Sequence, residues 1–386
     1  MNTTRMNNAD DVVRIIAFYL PQFHPIPEND RWWGKGFTEW RNVIQAKPLF
    51  KGHYQPHLPA DLGFYDLRVP ETRDAQAELA QTYGITGFCY YHYWFNGHRL
   101  LNRPFDEVFG TGYPRLPFCL CWANENWTRR WDGLEGEVLM KQEYSHEDDY
   151  AHIEHLIRAF SDDRYIKIDG RPLFLVYRTA VLPNPARTAE IWKKACRAAG
   201  FPDLFLARVE SHGRDVAPAT IGFDAAVEFA PHWTVLPSRR FRRDKWDVPQ
   251  RVYNALQKAG LMSWAYRTHQ VYSYAALSER MQSRPPVSYS RFRCATPGWD
   301  NSPRRQKEAT IFYGSTPKLY ERWLQALVRE TLATRQNDER IVFVNAWNEW
   351  AEGNHLEPDQ RWGRGYLEAT ARAVRSAVVQ HVDDEA

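Results

Sequence analysis

No stretch of this 386-residue sequence approaches the roughly 20 consecutive apolar residues that a membrane-spanning helix needs. The first residues, Met1 to Arg14, are polar and contain no apolar segment of the signal-peptide kind, so a cytoplasmic location is the default expectation. An excess of either charge is also missing. Lys and Arg number 50 against 47 Asp and Glu, a formal net charge of +3, and nothing global directs the chain to nucleic acid or to an anionic membrane surface. Cysteine is scarce: Cys89, Cys119, Cys121, Cys196 and Cys294 show no zinc-knuckle spacing. Cys119 and Cys121 lie two apart in an apolar run, hence on one face of a strand, a placement suited to packing rather than to metal. There is no internal repeat, low-complexity tract or Pro/Gly/Ser-rich linker, which favours a single domain.

Aromatic residues are present in excess, at 15%, with 16 Trp and 20 Tyr. These side chains are flat and amphipathic. They serve either as packing or as platforms for the C–H face of a sugar, and composition alone does not separate the two uses.

Eight short apolar, β-branched or aromatic runs alternate with helical stretches. The runs are Arg14–His24, Gly84–Phe95, Leu116–Glu125, Arg171–Arg178, Leu204–Glu210, Phe223–His232, Val287–Ala295 and Ile341–Trp347. The helices fall at Glu71–Tyr83, Ser145–Phe160 with Ser145 as its cap, Arg187–Ala199, Thr316–Thr334 and Tyr366–Val379. Eight strands with intervening helices predict a single α/β domain, a (β/α)8 TIM barrel with long βα loops. A doubly wound sheet would carry a Gly-rich fingerprint after the first strand, and none is present. The expected layout is a disordered segment at 1–13, a barrel at 14–380 with an insertion at 234–286, and a tail at 381–386. The connection from Pro25 to Pro70 is too long for an idle loop.

In such barrels the site lies at the C-terminal ends of the strands. Polar and aromatic residues gather there: Tyr19 and His24; His92, Tyr93 and Trp94; Asn124, Glu125 and Trp127; Glu210, Ser211 and His212; Glu228 and His232; Trp299 and Asp300; and Asn348 to Gly353. Trp32, Trp33, Trp40, Trp94, Trp127 and Trp299 are candidate stacking platforms. Glu39, Glu125, Glu210 and Glu228 are candidate acceptors for hydroxyls, or anchors for Arg residues of the fold. His24, His92 and His232 are read as sugar contacts or satisfied core histidines, with no paired spacing for a metal. No cofactor is expected. Glu349 and Glu352 flank Trp350 after the last strand, three apart, so a helical turn places both carboxyls on one side. Two neighbouring carboxyls resist ionising together, which separates an acid from a base. Glycoside cleavage needs such a pair.

At these motifs the chain resembles the WbsX family, the glycoside hydrolase family 99-like proteins of bacterial O-antigen and exopolysaccharide gene clusters. The resemblance is carried by Phe18–His24 with Trp33–Trp40, Gly87–Trp94, Trp122–Trp127 and Asn345–Pro358, and runs from about residue 14 to residue 368. It is more distantly similar to family 99 endo-α-mannosidases, through Asn348–Gly353 and Glu357-Pro358. That resemblance implies a retaining mechanism without a protein nucleophile. Glu349 would help the 2-hydroxyl of the substrate attack the anomeric carbon, giving a 1,2-anhydro sugar. Glu352 would be general acid and then base. Tyr19, His24, Trp33, Glu39, Trp40, His92, Tyr93, Trp94, Asn124, Glu125, Trp127, Glu210, Glu228, His232, Trp299, Asp300, Asn348 and Trp350 would contact sugar. The family motif has His where this chain has Ala351, which removes one sugar contact. Three readings follow: a glycosidase acting on α-linked manno-configured oligosaccharide or polysaccharide, a glycosyltransferase, and a non-catalytic sugar-binding protein. A saccharide is the expected partner in each.

Overall fold

The computed structural model describes residues 13–129, 134–211, 216–239, 250–259, 263–305 and 307–385. The expected disordered segment, apart from Val13, and His212 lie outside the described residues. Eight strands form the centre: β1 (Arg14–Tyr19), β2 (Gly87–Phe95), β3 (Phe118–Trp122), β4 (Arg171–Val176), β5 (Phe205–Glu210), β6 (Ala225–Glu228), β7 (Arg291–Ala295) and β8 (Ile341–Val344). Each is hydrogen-bonded in parallel to the next in chain order. The pairing Arg14↔Ile341 brings β8 back to β1 and closes the ring. The fold is a closed (β/α)8 barrel. All eight sequence runs overlap these strands, and each strand is shorter than its run: β2, β5 and β7 start later than their runs, whereas β1, β4 and β8 stop earlier and β3 and β6 are trimmed at both ends.

The strands are covered on both faces, which explains their nearly continuous apolar runs. Inside the barrel, Phe18 packs on Tyr91, Phe229 and Phe343 with ring centroids 5.6, 6.0 and 5.5 Å apart. Outside lie the helices Pro70–Thr82, His146–Phe160, Pro185–Ala198, Pro317–Thr334 and Gly365–Glu385. Their starts are chemically marked: Ser145 and Thr316 accept backbone N–H bonds from Asp148 and Leu319 at 3.1 and 3.3 Å. The last helix continues past residue 380, through the segment read as a tail. Among the described residues no helix is long and apolar enough to cross a membrane. The five cysteines are buried and free.

Two long connections shape the C-terminal mouth. The first, from β1 to the helix Pro70–Thr82, contains the short helices Pro27–Trp33 and Trp40–Gln45. It is pinned by Trp40, whose indole donates to the Tyr65 carbonyl at 2.8 Å and packs on Trp350 at 5.5 Å. The second follows β6 and includes the helices Gln250–Lys258 and Tyr274–Gln282 and a small sheet built on Gln270–Ser273.

Candidate active site

Beyond β8 the chain makes a hairpin. Asn348–Glu349 pairs antiparallel with Asn354–His355, and Trp350–Glu352 forms one 3-10 turn between them. Asn348 ties the hairpin to the end of β1, accepting from Leu20 N at 2.7 Å and donating to Leu20 O at 3.0 Å. Trp350 is buried, donates to the Glu357 carboxylate at 2.6 Å, and stacks on His355 at 3.7 Å. Gly353 closes the turn at φ +55°, and a Cβ there would meet the Asp300 Cβ at 3.1 Å. Gly353→Ala is expected to cost about 1–3 kcal/mol of stability and to misplace the turn, as thermal unfolding and activity assays would read.

This turn puts Glu349 and Glu352 on the wall of a cavity of about 610 Å³ at the C-terminal mouth. One guanidinium holds both. Arg304 Nη2 is 3.2 Å from Glu349 Oε2 and Nη1 is 2.7 Å from Glu352 Oε1. Its Nε donates to Glu39 Oε2 at 3.1 Å, so a third carboxylate braces the cation from below. Burial pushes the Glu349 carboxyl up to about 8, helped by the charges of Glu352 and Glu39 and opposed by Arg304. Burial raises Glu352 as well. Their side chains are 9% and 17% exposed, so Glu352 is the more open to the cleft. The pair therefore retains a proton at neutral pH, and that proton belongs to both groups. Tyr93 is kept protonated by burial and by the Glu349 charge beside it.

The rest of the cavity is aromatic with polar points. Trp33, Trp127, Trp233 and Trp299 line it, with Tyr91, Tyr93, Tyr177 and Phe229. Trp233 meets Trp299 edge to face at 5.2 Å. Glu125 and Arg178 form an ion pair on the wall. Flat rings beside convergent polar groups suit a saccharide, which offers C–H faces and hydroxyls together.

A family model described as "Glycosyltransferase WbsX" matches residues 15–370. The chain belongs to the WbsX family. It is 47% identical over 363 residues to "Uncharacterized protein WxcX" from two strains of Xanthomonas campestris pv. campestris, covering 94% of this chain and 50% of those proteins. This WbsX-family chain thus spans about half the length of the curated relatives it matches. Among solved structures it is similar to a "Glycoside hydrolase-like protein" at TM-score 0.57 and 13% identity, covering 97% of both chains. It is also similar to the GH99 endo-alpha-mannosidase of Bacteroides thetaiotaomicron at TM-scores of 0.55 and 0.53, with 13% and 15% identity, covering 97% of this chain and 99% of that one. These likenesses carry the fold, and the family's description is that of a carbohydrate-active enzyme, a glycosyltransferase.

Of the residues proposed from sequence, Glu349, Glu352, Trp33, Tyr93, Glu125, Trp127 and Trp299 line the cleft, and Glu39 reaches it through Arg304. The others lie elsewhere. Tyr19 is buried, donating to Gln76 at 2.7 Å, and His24 is buried, its imidazole held neutral by burial, with Asp66 opposing. Trp40 packs on Trp350, whose ring is buried away from the cleft. His92 and Trp94 face the outer helix His146–Phe160, His92 at 3.0 Å from His152 and Trp94 donating to Asp148 at 2.8 Å. Asn124 bridges strand ends through both backbone groups of Arg178. Glu210 takes the Tyr289 hydroxyl at 2.6 Å and sits among Arg208, Arg284 and Arg291. Glu228 binds Arg284 and Arg293, and Arg293 continues to Glu330 on an outer helix. His232 bonds Thr234 at 2.9 Å, and Asp300 bonds His53 and Gln55. Among the described residues, His24, His92 and His232 do not converge on one point. Sequence reasoning missed Arg304, Arg305, Gln22, Tyr177 and Arg178, which also line the cleft. Arg304 lies in a polar turn after Trp299-Asp300, and no spacing sets it apart from the many other arginines.

Proposed function

We propose that this chain breaks α-glycosidic bonds of manno-configured saccharides, mannose- or rhamnose-like, with retention and with participation of the substrate 2-hydroxyl. The observation that carries this reading is the Glu349–Arg304–Glu352 bridge on the wall of an aromatic-lined cleft. Glu349 accepts the proton of the 2-hydroxyl as O2 attacks the anomeric carbon. Glu352 delivers its proton to the departing oxygen as the glycosidic bond breaks, leaving a 1,2-anhydro sugar. Water then attacks the anomeric carbon and gives its proton to Glu352, while O2 recovers the proton from Glu349. The step draws on the tautomer in which Glu352 is protonated and Glu349 pairs with Arg304. The greater exposure of Glu352 suits the group that meets first the leaving group and then water.

The description of the family as a glycosyltransferase supports a second reading. A nucleotide sugar as donor and an acceptor hydroxyl in place of water would give transfer in the same cleft. Incubation with α-mannan and α-rhamnan oligosaccharides, with and without nucleotide sugars, separates the two by mass spectrometry. Shortened products without a nucleotide sugar support cleavage. Extended products that require one replace the leading reading with transfer.

The shared proton also sets a pH dependence. Because burial holds a proton on the pair up to about pH 8, kcat/KM is expected to fall as pH rises through that value and the acid form disappears. A rate unchanged to pH 10 would remove the raised carboxyl pair from the mechanism.

A further inference from the structure

A second cavity, of about 90 Å³, shares Trp299 with the cleft, and its wall includes His57, His355 and Asp359. We propose that these three side chains form a binding site for one divalent transition-metal ion of the zinc class, a site separate from the sugar cleft.

The donor atoms converge. His57 Nδ1 lies 2.9 Å from His355 Nε2, which lies 3.9 Å from Asp359 Oδ2, and all three lie within 4.8 Å of one another. Metal bonds of about 2.0–2.1 Å in a tetrahedral site put ligand atoms roughly 3.3 Å apart, so a small closure of the carboxylate completes the geometry. Two of the three ligands, His355 and Asp359, are oriented from behind. His355 Nδ1 is 2.9 Å from the Glu357 carbonyl, which only accepts, so Nδ1 carries the proton and the Nε2 lone pair faces His57. A second-nitrogen bond to a backbone carbonyl is how metal-ligating imidazoles are usually oriented. Asp359 Oδ1 accepts from the backbone N–H groups of Arg361 and Trp362 at 2.9 and 2.6 Å, leaving Oδ2 toward His355.

Tyr54 stacks on His57 at 4.1 Å and its hydroxyl faces Asp359. Two imidazoles and one carboxylate suit zinc and its neighbours rather than magnesium or calcium. Arg361 lines the same cavity, its guanidinium 4.7 Å from the Tyr54 ring centroid.

Such an ion would join the connection after β1, which carries His57, to the hairpin after β8, which carries His355. Because His355 stacks on Trp350 between Glu349 and Glu352, the ion would stiffen the catalytic turn without touching substrate.

The test uses the full chain stripped with dipicolinate, then incubated with Zn²⁺ and dialysed. Elemental analysis is expected to find one zinc per chain. Zn²⁺ should raise the thermal midpoint, and Co²⁺ should give visible d–d bands of a four-coordinate N/O site. His57→Ala, at a partly exposed position, should keep its far-ultraviolet circular dichroism and lose both signals, and Asp359→Asn should weaken them. Folded wild-type protein that retains no stoichiometric zinc would overturn the proposal and leave a histidine–histidine hydrogen bond. So would a folded His57→Ala variant that binds as wild type does.

Discussion

Glu352→Gln is expected to lose roughly a hundred- to ten-thousand-fold in kcat/KM on an oligosaccharide, and far less on an aryl glycoside with an acidic leaving group. Glutamine keeps the shape of the side chain but has no proton to give the departing oxygen. A sugar alkoxide cannot leave without that proton, whereas an activated phenolate can. Glu349→Gln should lose activity on both substrates, since attack by the 2-hydroxyl is needed whichever group departs. Both carboxyls touch one guanidinium and both are raised by burial, so their positions alone leave the division of labour to this comparison. Rescue of Glu349→Gln by the activated leaving group, with no rescue of Glu352→Gln, would exchange the two roles.

Arg304→Met should abolish activity and lower stability by about 3–5 kcal/mol near neutral pH, the usual cost of leaving buried charge without its partner. The side chain of Arg304 is only 12% exposed and serves Glu39, Glu349 and Glu352 together. Without the cation, Glu349 and Glu352 lose the charge that opposes the effect of burial, so both rise further above their ordinary values. A raised folded-state pKa contributes stability that is present below the unfolded value and is lost as pH rises through the folded one. Because the unfolded chains titrate alike, the deficit of the variant relative to wild type should open where the native pair begins to lose its protons and widen through about pH 8 and beyond. Thermal unfolding across that range reads it directly. A deficit of constant size at every pH would assign the loss to packing instead of charge.

The barrel was legible because its strands are covered on both faces and its helices carry their own caps. The same double burial hid which strand residues face inward. In β2 all nine residues are buried, so hydrophobic pattern does not reveal its parity. Tyr91 and Tyr93 point into the cleft, while His92 and Trp94, one step out of phase, meet an outer helix. Glu210 and Glu228 illustrate the second difficulty: a carboxylate at a strand end reads as a sugar contact until its arginines are placed, and those come from Arg284, Arg291 and Arg293, distant in sequence. Glu349 and Glu352 were legible because their spacing, flanking Trp350 and position after β8 all fall within one short segment. Arg304 was not, since it is brought to them only by the tertiary fold.

Hydrolysis of an α-linked manno-configured oligosaccharide in oxygen-18 water, without any nucleotide sugar, tests the central claim most directly. Cleavage by Glu349 and Glu352 predicts shortened products carrying one oxygen-18 at the new reducing end, absent with Glu352→Gln. Products that form only with a nucleotide sugar and take up no label, or cleavage that persists undiminished in Glu352→Gln, would contradict it.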